Sequence, residues 1–132
     1  MRARDALGRP VTAGHPQAVD PVPEEALPAE QALDLAQALL DAGRAFGAHE
    51  VLEAAWKATP ADRPEQRRTW QGLAQVCVGV THLQRGNRVG AARLLRRGAG
   101  NVGTHPVAAQ ALAAAAAVEA GGTDLPAISL RG

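Results

Sequence analysis

FGAHEVLEAAW, residues 46–56, decides the fold. Seven of its eleven residues are Ala, Val, Leu, Phe or Trp, which is the content of a helix made for burial. His49, Glu50 and Glu53 stand among them. Projected at 100° per residue with His49 at zero, Leu52 falls at about 300°, Trp56 at about 340°, Glu53 at about 40° and Phe46 at about 60°. The projection therefore places His49 and Glu53 inside the apolar face, between the two aromatic rings, with Glu50 on its flank. A histidine and a carboxylate on a buried face must find partners, because unpaired burial is costly.

Working outward, helices follow one another between Gly, Pro and Asn punctuation. The first is expected from about Pro28 to Ala42, stopped by Gly43. The helix containing the opening stretch runs from about Ala45 to Thr59 and ends before Pro60. A third is expected from Pro64 to about Arg85, a fourth from Arg88 to about Gly98, and a fifth from Val107 to the Gly121-Gly122 pair. Phe46-Gly47-Ala48 followed by Val51-Leu52 matches Val89-Gly90-Ala91 followed by Leu94-Leu95, at an offset of 43 residues. Each copy opens the second helix of a pair, so the chain reads as two helical hairpins plus a C-terminal lid, a single all-α bundle of about five helices. Residues 1–23 have no apolar period and read as a disordered or loosely attached arm. Residues 24–122 form the domain, and 123–132 a C-terminal tail.

Composition fits this plan. Of 132 residues 46% are hydrophobic but only 2% aromatic, so the core must be built from Ala, Val and Leu. A net charge of +1 predicts no general attraction to nucleic acid or to an anionic membrane. The charges are nevertheless segregated. Eight acids against Arg44 alone occupy residues 20–53, and eight arginines against Glu65 alone occupy residues 63–97. Mutual neutralisation of the two halves is the plain expectation, and a basic face is the sharper one. Arg93, Arg96 and Arg97 form the ridge such a face would use. With so few aromatics to stack on bases, nucleic-acid binding is not supported. One cysteine, Cys77, excludes an internal disulfide and fits a reducing compartment. No run is long enough to span a bilayer, and no signal-peptide core opens the chain, so a cytoplasmic protein is expected.

The third helix carries a matching polar stripe. Gln71, Gln75 and His82 share one side of an otherwise apolar circumference, bordered by Gly72 and Gly79, and are expected to face His49 and Glu53. Three readings stay open. His49, Glu53 and His82 bind a divalent metal such as Zn while Glu50 acts as the catalytic base on a bound water, in the manner of a degraded HExxH helix. Alternatively His49, Glu53, Gln71, Gln75 and His82 line a metal-free pocket for an unidentified small polar molecule. In the third, they are a structural network in a non-enzymatic interaction or scaffold domain. GAGNVG, Gly98 to Gly103, has the spacing of a dinucleotide fingerprint but follows a helix, not a strand, and reads as a helix stop and loop.

The pieces AHEVLEAAWK and WQGLAQVCVGVTHLQRGNRVGAARLLRRG, over about residues 30–103, closely resemble a bacterial, archaeal and plastid family of unknown function, number 309. The resemblance implies a compact all-helical domain. Some descriptions of that family name it a predicted metal-dependent hydrolase, and its polar positions match His49, Glu50, Glu53, Gln71, Gln75 and His82.

Overall fold

In a computed structural model the described residues are 2–132, and they are predominantly helical. A small antiparallel hairpin, β1 (Arg2–Arg4) and β2 (Pro10–Thr12), precedes five helices. These are α1 (Ala29–Asp41), α2 (Ala45–Ala58), α3 (Pro64–Gln84), α4 (Arg88–Val102) and α5 (Val107–Glu119). Each helix packs chiefly on the next in sequence, and the α3–α4 interface is the most extensive. The main core is made of small side chains from all five helices, with Leu52, Leu73 and Leu95 at its centre.

Both hairpin turns are built the same way. Gly43 and Gly86 adopt left-handed φ values of +78° and +80°, open to glycine without steric cost. At the first turn Gly43 N–H donates to Leu40 O and Arg44 N–H to Leu39 O. At the second, Gly86 N–H donates to Leu83 O and Asn87 N–H to His82 O. This is the Schellman pattern, which satisfies the last helical carbonyls. The two turns are 43 residues apart, so the offset read from the sequence is a repeat of structure. Ala48 and Ala91, and Leu52 and Leu95, are all fully buried at equivalent places.

Several expectations change. The fourth helix does not stop at Gly98 but runs to Val102, and Gly103, at φ +62°, ends it. GAGNVG is therefore mostly helix. Gly98 lies against α3, where an added Cβ would sit 2.7 Å from Gly72 O. The glycine border of α3 faces α4: a Cβ at Gly79 would meet Leu95 and Ala91 O, and one at Gly72 would meet Gly98 O at 2.8 Å. The stripe beside it consequently turns toward α4 rather than α2.

On α2 the buried arc is Ala45, Ala48, Val51, Leu52 and Ala55. Phe46 and Trp56 are only half-buried, so the true inner face is rotated away from the one they suggest. A core floored with alanine gives the helices close approach and little depth for a large ring. The rings lie on the rim instead, under arginines: Arg4 and Arg85 stand 4.9 Å and 5.8 Å from the Phe46 centroid, and Arg67 stands 6.0 Å from that of Trp56.

Both ends of the chain carry order that apolar periodicity did not announce. In the N-terminal arm, Asp5 Oδ1 accepts from Leu7 N and Arg9 N and closes the hairpin turn. Gly8 lies flat on the Phe46 ring, where a Cβ would collide with it. Arg85 Nε donates to Leu7 O, and Arg44 Nη2 to Asp20 O. At the other end Ile128 and Leu130 are buried in the main core.

The segregated charges do not neutralise each other as expected. Among the described residues no ion pair joins acids 20–53 to arginines 63–97. Glu30 and Asp34 pair with Arg131, and Arg96 pairs with Glu119 of α5. No described helix is long and apolar enough to cross a membrane.

Candidate functional site

Helix α2 carries three of the six polar side chains singled out in the sequence, His49, Glu50 and Glu53. His49, Glu53 and Lys57 follow at four-residue steps, which stack side chains along one side of a helix. His49 Nε2 lies 2.8 Å from Glu53 Oε2, and Lys57 Nζ lies 2.7 Å from Glu53 Oε1. The Lys57 hydrogen bond holds the Glu53 carboxyl below its ordinary value of 4.5. The His49 contact adds to that shift, while partial burial opposes it. The second imidazole nitrogen, Nδ1, lies 3.2 Å from the Phe46 carbonyl oxygen. Both ring nitrogens are thus turned to partners on α2 itself, and His49 does not line the neighbouring cleft.

That cleft, about 520 Å³, lies between α2 and the N-terminal arm. Phe46 and Gly47 contribute from the helix, and Val19 to Glu24 form the opposite wall. Glu50, Glu53 and Lys57 border it, with Arg4, Asp5 and Arg44 from the arm and the first turn. Glu53 and Lys57 are tied to each other. Among the described residues Glu50 has neither an ion pair nor a side-chain hydrogen bond, and it is half-buried.

The α3 residues go elsewhere. Gln75 Oε1 accepts from Asn101 Nδ2 of α4 at 2.6 Å. His82 Nδ1 lies 3.2 Å from Asn87 Nδ2 in the α3–α4 turn. Burial lowers the His82 pKa below its ordinary 6.5, and the nearby charges of Arg85 and Arg93 lower it further. Gln71 is half-buried and, among the described residues, makes no side-chain hydrogen bond. The two-helix pocket expected from the stripes is therefore not assembled.

The metal-ligand set fails with it. Among the described residues no three His, Cys, Asp or Glu side chains converge to hold an ion. His49 and Glu53 supply two donors, already engaged with each other. His82, the expected third, sits beside two guanidinium groups that would repel a cation. The residues present do not fit a catalytic zinc site, which needs three protein ligands and an open position. A Glu50-activated water on such a metal has no support from this arrangement.

The order of pieces read from the sequence nevertheless has a counterpart. Residues 33–94 match the domain of unknown function DUF309. The DUF309 segment begins within α1 and ends within α4, so it spans both hairpin turns and all of α2 and α3. It leaves out the arm, α5 and the C-terminal segment. No curated protein and no solved structure matches the chain.

Sequence reasoning did not find Arg4, Asp5, Arg44 or Lys57 at the cleft. The arm residues lie more than thirty positions from α2 in the chain, and no period links them. The four-residue step from Glu53 to Lys57 was readable and would have identified the partner of Glu53. Asn87 and Asn101, which take His82 and Gln75, belong to the glycine-rich stretches read as loops.

Proposed function

We propose that this chain is a non-catalytic binding module in which α2 and the N-terminal arm hold a small molecule with a cationic group and an apolar body. The unpaired Glu50 carboxylate beside the Phe46 ring carries this reading. A charge-assisted hydrogen bond to a half-buried carboxylate contributes about 1.5–3 kcal/mol, and an apolar body against Phe46, Val19 and Val22 adds to it. Recognition is favoured over catalysis because His49 is occupied by Glu53 and Phe46 and turns neither nitrogen to the cleft.

Thermal denaturation against a panel of alkyl amines, with alkyl carboxylates and neutral alcohols of equal length, tests the reading. Amines should raise Tm, and Glu50→Gln should abolish the rise while leaving the unliganded Tm nearly unchanged. A panel without any effect, or a shift that survives Glu50→Gln, overturns it. The metal-dependent hydrolase suggested by the resemblance makes the opposite forecast. Stoichiometric Zn or Mn in tag-free protein, lost in a His49→Ala variant, would restore it over the present proposal.

A further inference from the structure

Residues 126–132 are not a helix, yet they are bound. Ile128 and Leu130 are 5% and 0% exposed, while Ser129 between them is exposed. That alternation lays every second side chain into a groove, as an extended strand does, before Gly132 N–H donates to Ser129 O and closes the segment in a turn. The backbone is held by two glutamine side chains on two different helices. Gln37 of α1 donates through Nε2 to Ile128 O at 2.9 Å and accepts Leu130 N–H at 2.8 Å. Gln110 of α5 accepts Ser129 N–H at 2.8 Å and donates to Ser129 O at 3.2 Å. Each primary amide thus offers the donor and acceptor that a neighbouring strand would offer. Gln37 is itself oriented by Asp41, 2.9 Å from its nitrogen. Arg131 completes the contact by donating to Glu30 and Asp34 of α1 at 2.6 Å and 2.7 Å.

The connection to the body is slight by comparison. Gly121 to Leu125 are exposed, and among the described residues no hydrogen bond ties 123–127 to the helices. Two apolar anchors two residues apart, two amide clamps and one charged latch are the ingredients by which grooves recognise extended peptides. None depends on this segment's being joined to α5.

We infer that the α1–α5 face is a peptide-binding groove, occupied in cis by residues 127–131, and that its ligand in trans is a partner's extended segment of pattern apolar-x-apolar-basic. The joined segment acts as a competitor at an effective concentration on the order of millimolar, so a partner gains access when it binds more tightly or when the segment is displaced. Unlike the α2 cleft, this groove recognises backbone, and its existence is independent of the small-molecule proposal.

The test uses the full chain with Leu130→Asp, which empties one anchor, and a fluorescein-labelled peptide of residues 127–132. Anisotropy should show the peptide binding this variant at least about tenfold more tightly than wild type, which the joined segment blocks. Binding should vanish for a peptide carrying Asp at the Leu130 position, and for a Leu130→Asp chain that also carries Gln37→Ala. A folded Leu130→Asp chain that does not bind the peptide overturns the inference. Should that variant fail to fold, a full chain with a protease site inserted after Thr123 and then cut provides the second arm. Exchange of its severed segment for labelled peptide supports the groove, and retention without exchange or unfolding on release overturns it. Concentration-dependent dimers of wild type that Leu130→Asp abolishes would name a second copy as the occupant and overturn the assignment of a separate partner.

Discussion

The α1–α2 and α3–α4 hairpins share a turn and differ in how closely their helices approach. At offset 43, Gly72, Gly79 and Gly98 of the second hairpin correspond to Ala29, Ala36 and Ala55 of the first. Three missing methyl groups bring α3 and α4 to backbone contact, and the interface they form is the larger. The outer faces differ as well. Phe46 is roofed by the arm, whereas its counterpart Val89 is 76% exposed. A repeat that begins symmetric in sequence is thus specialised by side-chain subtraction on one hairpin and by an added cover on the other. The polar residues follow this division: those of α2 meet the cover, and those of α3 meet α4.

The largest expected effect tests the shared part. Leu52→Ala and Leu95→Ala occupy equivalent, fully buried places, and each should cost about 2–5 kcal/mol in urea denaturation. A difference between them above about 2 kcal/mol would break the equivalence of the two hairpins. The glycines test the divergent part. Gly98→Ala gains about 1 kcal/mol of helix propensity but pushes a methyl onto backbone oxygen of Gly72, so a net loss of about 1–3 kcal/mol is expected. The reverse substitution in the first hairpin, Ala55→Gly, should cost only about 1 kcal/mol. Stabilisation by Gly98→Ala would mean that the helices are not in contact there.

A smaller contrast lies at the second-helix starts. Asn87 Oδ1 accepts from Gly90 N–H and caps α4, whereas Arg44 provides no side-chain cap for α2. Asn87→Ala should therefore lower stability by about 0.5–2 kcal/mol. Arg44→Ala should leave the cap unaffected and speed amide exchange in the arm through loss of the Asp20 contact.

Acid should separate the hairpins by titration. His82 and His105 have folded pKa values below 6.5, so protonation favours the unfolded chain. Their contribution is complete above pH 6.5 and is lost as pH falls through their lowered folded values. Glu53 is depressed below 4.5, so its contribution is present above that pH and lost as pH falls through its folded value. Tm measured against pH should decline in two stages. His82→Gln should shrink the earlier one and Glu53→Gln the later.

Much of the fold was legible from residue order. Pro64 and Gly43 bounded their helices because local sterics act regardless of partners, and the 43-residue repeat predicted both hairpins. What periodicity could not supply was depth. Phe46 and Trp56 outweighed five smaller residues when the α2 face was assigned, although alanines such as Ala45 and Ala48 fill the core. On α3 the glycine border was correctly read as a close approach, but either neighbour could have supplied the partner. Choosing α4 requires knowing that Gly98 lies inside a helix, and GAGNVG reads as a terminator. The hairpin of the arm is fixed by Asp5 and Gly8 turn chemistry and by a distant aromatic ring, and Ile128-Ser129-Leu130 is too short for its alternation to stand out.

The two non-helical ends are fastened by different physics, with a consequence for ionic strength. The arm is held by guanidinium groups on neutral partners: the Phe46 ring and the carbonyls of Leu7 and Asp20. The opposite end adds to its buried anchors and amide clamps an Arg131 latch on two exposed carboxylates, an arrangement that mobile ions screen efficiently. Concentrated salt should therefore release the Arg131 latch at one end, where Ile128 and Leu130 stay buried, and leave the contacts of the arm in place.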